Sequence, residues 1–217
     1  MSNFPPSGEI PRGAIRFNTD SNKPELWDGY CWKEFQLSTP NLGRGVDTQP
    51  GVRGVFMGGH NEPDPSQVWD IIDYVNIAST GNAVDFGNLI AAEQEGNAFS
   101  SSTRGFHFGG DPADTDIETI VFASTGDATD FGDLTANSKT GTGLANATRG
   151  IAYLANGNVI NYVTMAATGT AVDFGDASFS SGTNGMGCAS PTRGVFGAAF
   201  VSPATVGLDF VTIPTLG

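Results

Sequence analysis

Four arginines recur along the chain, each followed by glycine and an apolar strand: Arg53-Gly54-Val55-Phe56, Arg104-Gly105-Phe106-His107, Arg149-Gly150-Ile151-Ala152 and Arg193-Gly194-Val195-Phe196. An acid stands before an aromatic at a matching place in each interval: Glu34 before Phe35, Asp85 before Phe86, Asp130 before Phe131 and Asp173 before Phe174. A guanidinium and a carboxylate at fixed spacing can form a bidentate pair. Present once per interval, such a pair reads as a tie between a strand and a neighbouring turn rather than as one active centre. A second group, His60, Glu62, Asp64 and Trp69, lies in the longest interval between an Arg-Gly step and the strand that follows it. An aromatic ring with carboxylates suits stacking on a sugar and hydrogen-bonding it, or docking a neighbouring protein; local packing of Trp69 explains it equally well. Asp111, Asp114 and Asp116 are spaced as ligands of a hard cation such as Ca²⁺, but the glycine and closing Glu of an EF-hand loop are missing. A solvated acidic loop is the simpler reading, and no metal is expected. His107 falls in mid-strand and reads as packed, His60 as a lone loop histidine. Cys31 and Cys188 are too few for a disulfide framework and are expected as buried free thiols. No Gly-x-Ser-x-Gly, His-Glu-x-x-His or phosphate-binding glycine loop occurs, so neither an enzyme nor a cofactor is expected.

The elements that must position these groups are strands. Glycine makes up 30 of 217 residues, and the longest stretch free of Gly and Pro, residues 66–80, has the character of a strand. That composition excludes a helical bundle, a coiled coil and a doubly wound α/β enzyme. A formal charge of −13 repels a polyanion, so no nucleic-acid partner is expected. No apolar run approaches the ~18 residues of a membrane span, and residues 1–8 lack the order of a secretion signal, so neither membrane insertion nor export is expected.

Two further landmarks repeat in register with the arginines. Ile72-Asp73-Tyr74-Val75-Asn76-Ile77 precedes Ala-Ser-Thr-Gly81, and Ile117-Glu118-Thr119-Ile120-Val121-Phe122 precedes Ala-Ser-Thr-Gly126. Ile160-Asn161-Tyr162-Val163-Thr164-Met165 precedes Ala-Ala-Thr-Gly169, and Leu208-Asp209-Phe210-Val211-Thr212-Ile213 opens a fourth copy. Asp-Phe-Gly follows at residues 85–87, 130–132 and 173–175. The fourth copy, residues 192–217, is a half repeat. From Leu89 to Arg104 and from Leu134 to Arg149 is 15 residues; from Ala177 to Arg193, and likewise from Leu37 to Arg53, is 16. Residues 31–50 therefore read as the missing half, completing the sheet that residues 192–217 begin. Circular repeats closed by pairing N- and C-terminal strands are how β-propellers remove their edges. The expectation is an all-β fold: a four-bladed β-propeller over residues 31–217, closed by N- and C-terminal strands. Residues 1–30 precede it as an extended arm and a β-hairpin, too small and polar for a core of its own. Phe17, Leu26, Trp27 and Tyr30 are its expected anchor.

The hairpin segment Gly13-Ala-Ile-Arg-Phe-Asn-Thr-Asp-Ser-Asn-Lys-Pro-Glu-Leu-Trp-Asp-Gly-Tyr-Cys-Trp-Lys-Glu-Phe35 resembles a module of tail-fibre and other virion proteins of tailed bacteriophages. The Thr-Arg-Gly-Val-Phe and Ala-Ser-Thr-Gly-type repeats are similar to kelch-like repeats in structural proteins of marine, cyanophage-type phages. Gly58-Gly59 and Gly109-Gly110 match the kelch glycine pair; the third and fourth repeats depart from it. The resemblance implies a virion protein assembled in the host cytoplasm, most simply a tail-fibre or adhesin component for attachment to the host surface. Capsid decoration or a head fibre, and a carbohydrate-binding lectin, are the alternatives. Implied partners are other virion proteins, or copies of the chain meeting through the hairpin, and a host-surface glycan.

Overall fold

The computed structural model describes residues 10–19, 23–34, 53–61, 64–155, 157–180, 185–197 and 207–215. Every regular element among them is a strand, and the strands form antiparallel sheets. The chain divides into two compact units, Met1–Asn41 and Leu42–Gly217.

The smaller unit is a meander of β1 (Ile15–Asn18), β2 (Lys23–Trp27) and β3 (Trp32–Glu34). β3 pairs with β2, Trp27 opposite Trp32 and Glu25 opposite Glu34. Residues 32–34 therefore close the hairpin sheet instead of opening a propeller strand, which moves the expected boundary at residue 30. The rest of the segment expected to complete the fourth sheet, residues 35–50, lies outside the described residues. The sheet also has the core that its size and polarity argued against. Trp27 is buried against Trp32, their ring centroids 5.5 Å apart, and the Arg16 guanidinium lies 4.2 Å over the Trp32 ring. Arg16 Nε also donates to Glu25 at 2.7 Å.

The larger unit holds four sheets in chain order. The first is β4 (Arg53–Asn61), β5 (Asp64–Asn76) and β6 (Val84–Asn88). The second is β7 (Asn97–Ser100), β8 (Arg104–Phe108), β9 (Asp114–Val121) and β10 (Thr129–Ser138). The third is β11 (Gly141–Ala145), β12 (Arg149–Leu154), β13 (Val159–Thr164) and β14 (Val172–Asp176). The fourth is β15 (Met186–Ala189), β16 (Arg193–Gly197) and β17 (Leu208–Thr212). Each is an up-and-down meander in sequence order. The repeats read from the sequence are thus single sheets; the Arg-Gly step opens β4 in the first sheet and the second strand, β8, β12 or β16, in the others.

Period-two alternation gives each sheet two apolar faces. Along β8, Phe106 and Phe108 point to the third sheet, where they share a core with Ala152, Leu154, Val163 and Met165. Along β12, Ile151 and Tyr153 point the other way, to Phe196 and Ile213 of the fourth sheet. Val55, Met57, Ile72 and Phe86 of the first sheet pack against Ile120, Phe122 and Ala128 of the second. The forward face of each sheet thus meets the rear face of the next. Three such seams hold the unit together, each buried large side chain contributing on the order of 1.5–3 kcal/mol.

The Asp-Phe-Gly motif makes the seams specific. Ile72 faces Gly87 and Asp73 faces Asp85, so Phe86 is the extra residue of a β-bulge. The same slip occurs between Asp130 and Gly132, and at Asp173–Gly175 opposite Asn161 and Ile160. The bulge buries the phenylalanine ring and frees its carbonyl from the ladder. Phe86 O accepts from Gly126 N at 2.7 Å and Phe131 O from Gly169 N at 2.9 Å, each glycine lying in the Thr-Gly turn of the next sheet. Ala128 N to Asn88 O (2.8 Å) and Ala171 N to Asp133 O (2.6 Å) extend the contact. The bulge glycine has two reasons to be glycine. Gly132 has φ of 146°, and a Cβ there would overlap the Gly169 carbonyl of the neighbouring sheet.

Gly132→Ala is therefore expected to destabilise the chain by more than ~1 kcal/mol, whereas Gly81→Ala, whose added Cβ meets nothing within 4 Å, should stay within ~0.5 kcal/mol. Urea melts of the two variants make the comparison; equal midpoints would show that the second seam does not depend on this close approach.

Candidate functional site

The expected arginine–carboxylate pairs do not form. Among the described residues no repeat arginine lies within ion-pair distance of Asp85, Asp130 or Asp173, and those three carboxylates are exposed. Glu34 pairs instead with Lys23 inside the hairpin sheet, at 2.7 Å. The first three arginines each reach a backbone carbonyl of the following sheet: Arg53 Nη1 donates to Phe122 O (2.7 Å), Arg104 Nη1 to Met165 O (3.3 Å) and Arg149 Nη1 to Ile213 O (2.9 Å). Three of the guanidiniums also cover an aromatic ring of the next strand in their own sheet: Arg53 over Tyr74 at 4.6 Å, Arg149 over Tyr162 at 4.8 Å and Arg193 over Phe210 at 4.5 Å. Arg104 has Thr119 at that position, so its ring is missing. The arginines are ties, as their periodicity implied, but from one sheet to the next and through a carbonyl, because the carbonyl just past β9, β13 and β17 has no ladder partner of its own.

A second set of ties was not read from the sequence. Glu118 Oε2 accepts from Ile90 N at 3.1 Å, and Asn161 Oδ1 from Thr135 N and Thr135 Oγ1 at 2.8 and 2.9 Å. Asp209 carries Ser178 through both of its oxygens. These acceptors occupy the second position of the repeated six-residue segment, after Ile117, Ile160 and Leu208. The recurring polar residue among apolar neighbours was the available signal, with Asp73 at the same place in the first sheet.

The group His60, Glu62, Asp64 and Trp69 is only partly assembled. Residues 57–61 and 64–70 are strand: β4 and β5 run on past the other repeats, with Gly59 opposite Trp69 and His60 opposite Val68. His60 and Trp69 share a cleft of about 270 Å³ with Phe56, Asn61 and Asp73 on the rear face of the first sheet. Asp64 sits at the start of β5, accepting from Ser66 N, Ser66 Oγ and Gln67 Nε2, and Glu62 lies outside the described residues. The hairpin anchor also divides. Phe17 and Tyr30 are exposed, Leu26 is half-buried, and Trp27 is spent on the core of its own sheet. Both cysteines are free and exposed, not buried.

Asp111, Asp114 and Asp116 act separately. Asp111 takes Lys139 Nζ at 3.0 Å, and Asp114 accepts from the Asp116 amide at 3.3 Å. Among the described residues no three His, Cys, Asp or Glu side chains are arranged to hold a cation. The first seam instead buries a titratable group. Glu93, His107 and Glu118 are all nearly inaccessible, with His107 Nδ1 3.8 Å from Glu93 Oε2. Burial, then the neighbouring carboxyl of Asp114, pushes Glu93 up from 4.5 to about 8, and burial pulls His107 down from 6.5 to about 4. Glu118 and Asp116 are raised too, chiefly by burial. His107 is packed as expected, but beside carboxyls rather than in an apolar strand.

The signs of these shifts separate by pH. Glu93 holds its proton when folded, so its contribution to stability is full below pH 4.5 and is lost as pH rises towards about 8. His107 stays neutral when folded, so stability is lost as pH falls from 6.5 towards about 4. Of these two groups only Glu93 acts between pH 6.5 and 8, where the melting temperature should fall with rising pH and the fall should be shallower in Glu93→Gln. Parallel profiles for the two proteins would remove Glu93 from the account. No known protein-family model matches the chain, and no curated protein is similar to it at a significant level.

Proposed function

We propose that this chain is a non-catalytic structural protein of a tailed-phage particle, of the tail-fibre or adhesin type, whose four repeat sheets are kelch-like meanders of the blade type. The observation that carries the reading is the division into two units with different surfaces. One is a series of meanders in which the forward face of each sheet packs against the rear face of the next. The other is a three-stranded hairpin sheet that keeps a two-tryptophan core and still exposes Ile15, Phe17 and Tyr30. A sheet that small, with its apolar side chains turned to solvent, suits docking to another protein. The hairpin is the attachment module and the repeat stack is the part presented outward, to a host-surface glycan in the adhesin role.

Two measurements test it. The chain should be found by mass spectrometry in density-purified particles of the phage that encodes it, and should be lost from them when Phe17 and Tyr30 are both changed to Ser. Excess free protein should also lower adsorption of that phage to its host cells. Presence in the particle without any effect on adsorption would favour a head-decoration or head-fibre role over the adhesin, and absence from the particle would end the proposal.

A further inference from the structure

Each seam joins a forward face to a rear face, so an array of four sheets leaves one of each uncovered: the rear face of the first sheet and the forward face of the fourth. Exposure follows that rule position by position. Ile77 is 61% exposed, whereas its equivalents Met165 and Ile213 on covered rear faces are 3% and 0% exposed. Phe56 is exposed where Phe196 is fully buried. On the forward side Leu208 is 74% exposed, whereas its equivalents Ile72, Ile117 and Ile160 are buried. The polar ties are split in the same way. Arg53, Arg104 and Arg149 hold the carbonyls just past β9, β13 and β17 respectively, and the equivalent residue in the first sheet is Ile77. Arg193 covers Phe210 in its own sheet as Arg53 covers Tyr74 and Arg149 covers Tyr162, and those last two arginines combine this ring contact with a hydrogen bond to a carbonyl of the next sheet.

From this we infer that the two uncovered faces are an interface between copies of this chain, head to tail. The forward face of the fourth sheet of one copy (Arg193, Val195, Leu208) covers the rear face of the first sheet of the next (Phe56, Val75, Ile77). Arg193 donates to the Ile77 carbonyl. A second copy is the occupant because the surface each face complements is one this chain already builds three times, and both faces are uncovered in the same molecule. The contact is heterologous, so it propagates or closes into a ring of copies according to the rotation per chain. It does not depend on the hairpin or on the particle role proposed above.

The test is light scattering on the full chain over a range of concentrations, with Ile77→Lys, Leu208→Lys and an equimolar mixture of the two. Both substitutions are at surface positions, so thermal melts should match the parent. The parent should gain mass with concentration, and each variant alone should associate at least tenfold more weakly. The mixture should stop at two chains, since each variant keeps one intact face. The proposal is overturned if the parent has the mass of one chain throughout, if the variants associate like the parent, or if the mixture stays at one chain. It is also overturned if either variant lowers the melting temperature at one-chain mass, because the faces would then meet within a molecule, as in a ring of four blades closed on itself.

Discussion

The hydrogen bond from a turn glycine amide to the carbonyl of a bulged phenylalanine, made in the first two seams, is the contact on which the joining of the first three sheets depends. It requires a β-bulge, because a regular ladder would already have used that carbonyl. It uses glycine on both sides for different reasons: at the bulge (Gly87, Gly132) a Cβ would overlap the turn carbonyl of the next sheet, whereas the turn glycines Gly126 and Gly169 sit at φ of 154°. Once formed, it sets how far one sheet is shifted against the next. The shift decides which apolar rows interdigitate and where the arginine finds its carbonyl. The side-chain ties at Glu118 and Asn161 reinforce a placement that the backbone has already made.

This dependence explains what could be read from residues alone. Repeat length and the strands that carry the repeated motifs were legible, since Arg-Gly and Asp-Phe-Gly recur at near-constant intervals. The partner of the arginines was not, because a carbonyl acceptor leaves no signature in a sequence, whereas a nearby aspartate invites pairing by sign. Residues 57–70 looked like a loop for their Gly, Pro and Asp content, yet the pairing of Gly59 with Trp69 and His60 with Val68 extends β4 and β5. Lys33-Glu34 looked like a degenerate repeat motif. Pairing with Leu26 and Glu25 places it in the hairpin sheet instead, a long-range choice that local similarity does not encode.

The hairpin unit shows how little material a sheet needs when its side chains serve two purposes. Arg16 neutralises Glu25 and covers Trp32, while Trp32 covers Trp27. One cation and two rings do the work of a larger apolar core. That economy leaves Phe17 and Tyr30 uncommitted.

The three seams are not equally apolar. Between the second and third sheets Phe99, Phe106, Phe108 and Phe131 form one aromatic cluster. Between the first and second, Glu93, His107 and Glu118 occupy part of the contact, desolvated carboxyls and an imidazole where the later seams place Ala152, Asn161 or Phe196. In a linear array with nearest-neighbour coupling, cooperativity is only as long as its poorest junction permits. Under tension or partial denaturation the first sheet is the unit that peels away, while the second and third persist as a protected pair. Amide exchange in such a chain would therefore be graded along it, fastest in β4–β6 and slowest in the aromatic centre.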